Sequence, residues 1–195
     1  MRFIGITGGV GAGKSTVLGL LKENLNCRIE LADDVAAELM KPGHDCFDRV
    51  VALPWPESIV GEAGQIDRPK MARFLYNSQE LRMAVNGLVH PAVEKWIQNE
   101  VEKEKNTHNI EYFFFEAALL IECGYGKICD EMWYIYASPE IRRQRLKETR
   151  GYSDERISSM MASQLSDSAF RAGTTHTIDN GGTREETWAQ LKALL

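Results

Sequence analysis

The stretch from Ile4 to Thr16, IGITGGVGAGKST, decides the fold. Within it, Gly8, Gly13, Lys14 and Ser15 satisfy G-x-x-x-x-G-K-[ST], the spacing of a phosphate-binding loop. The residues before the loop, RFIGIT, form a short apolar run that reads as a buried strand. After it, Val17, Leu18, Leu21 and Leu25 recur at helical spacing, which predicts a helix over Lys14 to Asn24. A glycine-rich turn between strand and helix lets backbone N–H groups face phosphate oxygens at the positive end of the helix dipole. Lys14 then reaches the β and γ phosphates, and the Ser15 hydroxyl ligates Mg²⁺. The dinucleotide pattern G-x-G-x-x-G fails, because the spacing that starts at Gly9 and Gly11 lands on Lys14. What is held is a nucleoside triphosphate. The motif leaves open whether its terminal phosphate goes to a small molecule, to water in a switch, or into motion.

Working outward, RIELAD reads as a second short strand ending in Asp33-Asp34, and VAAELM begins a helix. Residues from about 41 to 105 open with a loop carrying Pro54, Pro56, Gly61 and Gly64. Three helical sets follow: Met71, Phe74 and Leu75; Leu81, Ala84, Val85 and Leu88; then Val93, Ile97 and Val101. Tyr112 to Phe115 is too apolar for an edge strand, and EMWYIYAS is another strand. Ser138-Pro139 is a helix start, with Ser as N-cap and Pro in the first turn. Ser153 caps a further helix through about Gln164, HTID is a last strand, and Thr183 with Glu186 forms a capping box. Strands alternating with helices give an α/β fold of P-loop NTPase type, a five-stranded parallel sheet with helices on both faces.

Composition narrows the partners. A chain of 195 residues suggests one domain. A formal net charge of −5 argues against a nucleic-acid binder dominated by phosphate contacts. No apolar run approaches the roughly 20 residues of a membrane helix, and no signal peptide is expected before the first strand. Cys27, Cys46, Cys123 and Cys129 form no C-x-x-C pair and read as reduced, packed thiols of a cytoplasmic protein.

Three features bear on the fate of the phosphate. Asp33, at the carboxyl end of the second strand, could take the proton of an acceptor hydroxyl, or Asp33 or Asp34 could simply be an N-cap. Arg142, Arg143, Arg145 and Arg150 offer planar cations suited to a transferring phosphoryl group, one or two of them functional and the rest solvated. The helices from Pro139 to Phe170 look like a flap that closes over a nucleotide, and the insert from about residue 41 to 105 implies an acceptor of substantial size. A GTPase-type switch is disfavoured. The one D-x-x-G, at Asp179 to Gly182, comes too late in the chain, and no N-K-x-D exists. A motor ATPase needs a longer chain and a stronger acidic strand end than Glu116 supplies.

Taken in order, these segments resemble the dephospho-CoA kinase family over nearly the whole chain. ITGGVGAGKST looks like its nucleotide loop and ELADDVAAELMKPG like its second-strand motif. LVHPAV resembles its H-P element and EAALLIE its D-x-P-L-L-x-E stretch. ASPEIRRQRLKETRGYS, with Gln164 and IDNGG, resembles its lid and final strand. The resemblance implies ATP-dependent phosphorylation of the ribose 3′-hydroxyl of dephospho-CoA, with Mg²⁺, in the last step of CoA synthesis. It implies Asp33 as base, Lys14 and Arg145 as further catalytic residues, and Gly9, Gly11, Ala12, Gly13, Lys14, Ser15 and Thr16 around ATP. His90 and Glu116 join Asp33 on the acceptor, and Ser15 holds the metal. The expected layout is one kinase domain, 1–195, with a nucleotide core at 1–38, 108–138 and 174–195, an acceptor insert at 39–107 and a lid at 139–173. The expected partners are ATP and dephospho-CoA, with neither nucleic acid nor membrane, for a monomer or small homo-oligomer. A kinase acting on a nucleoside, nucleotide or sugar acid is the alternative. Five positions depart from the family pattern: Leu31 and Glu116 replace aspartates, Ala118 a proline, Thr149 an arginine, and Phe170 a basic residue.

Overall fold

The computed structural model describes residues 1–195. Contacts divide them into two compact units, one of Met1–Glu30 with Glu104–Leu195, the other Leu31–Lys103.

The first unit is built on a five-stranded sheet in the order β2-β3-β1-β4-β5. The strands are β1 (Arg2–Thr7), β2 (Cys27–Leu31), β3 (Tyr112–Glu116), β4 (Glu131–Tyr136) and β5 (His176–Asp179). β1 runs parallel to both β3 and β4, and β4 to β5. This is the parallel sheet expected from the alternating pattern. Its central strands carry continuous apolar runs because both faces are covered. Phe3, Ile4, Ile6, Phe113, Phe114, Phe115, Trp133 and Ile135 are all buried. At roughly 1.5–3 kcal/mol per buried side chain, these residues dominate the stability of the sheet. β1 lies between β3 and β4, so the chain reverses its direction across the sheet there, and the loop after β1 opens at that switch point.

Local signals set the helix starts of this unit. α1 is Lys14–Asn24, as the apolar spacing requires. Ser138 accepts a hydrogen bond from the Ile141 amide at the start of α6 (Pro139–Arg150), and Ser153 one from Arg156 at α7 (Asp154–Ala162). The capping box of Thr183 and Glu186 opens α9 (Arg184–Lys192). α8 (Asp167–Ala172), capped by Ser166, was not anticipated. It anchors through Phe170, which is buried and stacks on Tyr134 with ring centroids 4.7 Å apart. Arg171 lies over the Tyr136 ring, 5.0 Å from its centroid, and pairs with Asp167 at 2.8 Å.

The second unit is helical. α2 (Ala32–Leu39) begins earlier than the sequence suggested, which corrects the position of Asp33 and Asp34. They lie in the first turn of a helix rather than at the end of a strand. α3 (Asp45–Val51) is a short helix where a loop was expected, held by buried Cys46 and Val50. α4 is Arg68–Asn77, capped by the Asp67 side chain on the Lys70 amide. The second and third expected helical sets belong to one helix, α5 (Gln79–Thr107), which runs through Pro91. A proline inside a helix costs about 3 kcal/mol. Leu81, Val85, Val89, Val93, Ile97 and Val101 fall every four residues on one buried stripe, and burying that stripe outweighs the cost.

Candidate active site

The loop after β1 is shaped by glycines at left-handed or related angles, Gly11 at φ 78° and Gly13 at 86°. Gly13 is the N-cap of α1 and contributes no side chain, and the first turn holds no acidic residue. The Thr16 and Val17 amides return to the Gly13 carbonyl. The first turn of α1 therefore carries no acidic side chain of its own. Gly9, Gly11, Ala12, Gly13, Lys14, Ser15 and Thr16, the expected ATP ligands, lie together along this turn, with Ser15 and Thr16 exposed.

Lys14 lies back over the loop. Its Nζ donates to the Gly8 carbonyl at 2.8 Å and faces Glu116 Oε1 at 3.4 Å. Glu116 ends β3, level with Ile6 on β1, so adjacent strand ends bring the cation and the carboxylate together. Two residues expected in separate roles, nucleotide and acceptor, thus meet in one ion pair.

The back of the loop is braced from residues far along the chain. The Arg145 guanidinium donates to the Ala12 carbonyl at 3.2 Å and the Asn180 carbonyl at 2.8 Å. Asn180 is buried. Its Nδ2 donates to the Ala12 carbonyl at 2.8 Å, and its Oδ1 accepts from the Thr187 hydroxyl at 3.0 Å. A Cβ on Gly13 would lie 2.2 Å from that amide nitrogen, so only glycine fits there. Gln164 Oε1 accepts from the Val10 amide at 3.1 Å and from Arg142 at 2.7 Å. Of the remaining arginines, Arg143 pairs with Asp154 at 3.0 Å, and Arg150 is exposed at the end of α6. Asn180 and Gln164 were not picked out as loop contacts from the sequence. Asn180 lay in a failed switch motif and, like Gln164, within the stretches that carry the family resemblance. Asn180→Ala removes a buried amide that bonds the Ala12 and Gly13 carbonyls and the Thr187 hydroxyl. It is expected to cost about 1–3 kcal/mol, and a thermal melt should fall by several degrees.

Asp33 and His90 belong to the second unit. Asp33 is exposed in the first turn of α2, where its charge complements the helix dipole. The N-cap is Leu31, which has no side-chain cap, so the capping alternative for Asp33 and Asp34 is excluded. His90 is half-buried on α5, and burial pushes its pKa down, favouring the neutral ring.

Mg²⁺ suits the donors here. No group of three or more His, Cys, Asp or Glu residues assembles into a metal cage. The exposed Ser15 hydroxyl is a hard oxygen at a bare helix N-terminus. That fits a cation bound chiefly by phosphate oxygens and waters.

The family model for dephospho-CoA kinase matches residues 2–186. The chain belongs to the dephospho-CoA kinase family. The dephospho-CoA kinases of Carboxydothermus hydrogenoformans and Geobacillus kaustophilus are 32% and 34% identical to it. The alignments cover 100% and 98% of this chain and 93% and 94% of theirs. The Thermus thermophilus protein TT1252 superposes with a TM-score of 0.79 at 29% identity, over 99% of this chain and 95% of its own. A dephospho-CoA kinase from Campylobacter jejuni, 18% identical over 100% of this chain and 98% of its own, shares the fold with a TM-score of 0.73. Membership makes this chain a P-loop kinase, a phosphotransferase of the final step of CoA synthesis, rather than a switch or a motor. No helix is long and apolar enough to cross a membrane.

The fold accommodates most departures from the family pattern. Phe170 packs in the core and leaves the surface to Arg171. Thr149 returns its hydroxyl to the Arg145 carbonyl at 2.7 Å, leaving Arg150 exposed. The Ala118 carbonyl accepts from the Thr7 hydroxyl at 3.3 Å.

Proposed function

We propose that this kinase transfers the γ-phosphoryl group of ATP to the ribose 3′-hydroxyl of dephospho-CoA in the cytoplasm. The supporting observation is the loop itself. It has left-handed glycines, an α1 first turn without acidic residues, and a lysine laid across it, in a chain matched by the family from residue 2 to 186. Four free thiols agree with a reducing compartment.

In this reading the amides from Gly9 to Thr16 bind the phosphates, and Lys14 neutralises charge that builds up on the β and γ groups. Ser15 holds Mg²⁺, which when bound offsets the negative charge of the phosphate oxygens. Asp33 accepts the proton of the 3′-hydroxyl as its oxygen bonds to phosphorus and the bond to the ADP oxygen breaks. Glu116 holds Lys14 in place and, with His90, takes part in binding the acceptor. The insert at 39–107 is the acceptor-binding region, and residues 139–173 form the lid.

A coupled ADP-release assay tests the acceptor. Dephospho-CoA should support turnover, while shikimate, gluconate and nucleoside monophosphates should not. Turnover with one of these instead would overturn the reading.

Arg145→Lys keeps the charge and loses the planar fork that spans the Ala12 and Asn180 carbonyls. If Arg145 also contacts the transferring phosphoryl group, kcat should fall sharply while acceptor KM changes little. A silent swap would move that role to Arg142 or Arg150.

A further inference from the structure

Arg142 is built into the loop in an unusual electrostatic setting. Its Nε donates to the Val10 carbonyl at 2.8 Å, and its Nη2 donates to Gln164 Oε1 at 2.7 Å. Gln164 Oε1 also takes the Val10 amide, so the Val10 residue is gripped at both N–H and C=O. The guanidinium lies directly over Gly9. A Cβ at that position would stand 2.4 Å from Nη2 and 2.8 Å from Nη1. Both hydrogen-bond partners are neutral, and Arg142 forms no ion pair, although Arg143 beside it pairs with Asp154. The neighbouring rings are the phenols Tyr134 and Tyr136.

A cation taken partly out of water without a carboxylate costs stability that neutral hydrogen bonds offset only in part. Burial accordingly pushes the Arg142 pKa down. If the side chain served only to brace Val10, an uncharged amide or a carboxylate-paired arginine would do the same at lower cost. An unneutralised charge held against a loop that binds anions instead fits a ligand that supplies the counter-charge.

We propose that Arg142 is a nucleotide-binding cation of this kinase, fixed over Gly9 by Val10 and Gln164 so that its charge acts on the triphosphate. The proposal rests on the kinase reading above and deepens it, since it assigns the phosphate chain a second cation besides Lys14.

The test is calorimetric titration of ATP and of adenosine, without acceptor, into the wild type, two variants and their combination. Gln164→Glu keeps the oxygen that holds Val10 and Arg142 but neutralises the guanidinium. A charge role predicts weaker ATP binding in this variant and a smaller further loss when the same change is made in Arg142→Gln, because the added carboxylate repels ATP equally in both backgrounds, whereas a bracing role predicts the same loss in both. Arg142→Gln removes the charge and keeps an amide within reach of Val10. Each single variant should weaken ATP about 10- to 100-fold, the range of one charge-assisted hydrogen bond, and leave adenosine affinity within about twofold. Unchanged ATP affinity in a folded Gln164→Glu protein overturns the proposal, as does an equal loss for ATP and adenosine. Gln164→Glu adds an ion pair to the fold, so it carries the test should Arg142→Gln fail to fold. Because no acceptor is present, failure here leaves the dephospho-CoA assignment standing. Failure of the acceptor assay likewise leaves these titrations readable.

Discussion

Lys14→Ala is expected to lower turnover by about 10²–10⁴-fold, the equivalent of losing an electrostatic contribution of about 3–5 kcal/mol in the transition state. Lys14 has two ligand-free contacts, the Gly8 carbonyl at 2.8 Å and Glu116 at 3.4 Å. Neither belongs to the apolar core, so the fold should survive the truncation. The loop conformation rests instead on its glycines and on the bracing by Arg142, Arg145 and Asn180. Steady-state kinetics with a thermal melt on the same sample make the check. A folded Lys14→Ala protein with near-normal turnover would remove the phosphate-loop reading altogether.

Asp33→Asn should abolish transfer to dephospho-CoA while ATP still binds. The expected loss is about 10²–10⁴ in rate, the usual contribution of a positioned acid–base group. The structural cost is small, because Asp33 is exposed and is not the cap of α2. Removing its charge from the first helical turn costs about 0.3–1 kcal/mol. Two readouts separate chemistry from folding: the coupled transfer assay, and ATP binding by titration calorimetry. Wild-type transfer rates in Asp33→Asn would leave the carboxylate only its interaction with the helix dipole. Glu116 would then be the next carboxylate to test as the group that orients the acceptor.

Local chemistry was legible in the sequence. The helix at Lys14–Asn24, the caps at Ser138 and Ser153, and the capping box at Thr183 each depend on residues within about one or two helical turns. The loop's ligand class was legible for the same reason, since glycine, lysine and serine at fixed offsets already specify a turn, a cation and a hydroxyl. Short or conflicting signals were read less well. α3 and α8 have too few residues to show a period, and the apolar sets before and after Pro91 read as separate helices although one helix runs through it. The apolar stripe on both sides of Pro91 overrode that preference.

The sequence alone determined the fold class, the phosphate-binding loop and the family. Only the tertiary structure decided what surrounds the loop. Arg142 reaches Val10 across 132 residues of chain, and Asn180 reaches Ala12 across 168. No local pattern distinguishes these side chains from neighbours such as Arg143, which turns to Asp154 instead. Strand order makes the difference. β1 lies beside β3, so strand ends distant in sequence meet at the carboxyl end of the sheet, where Lys14 faces Glu116. Hydrogen bonds of this kind act only once burial of the sheet has fixed the register of its strands.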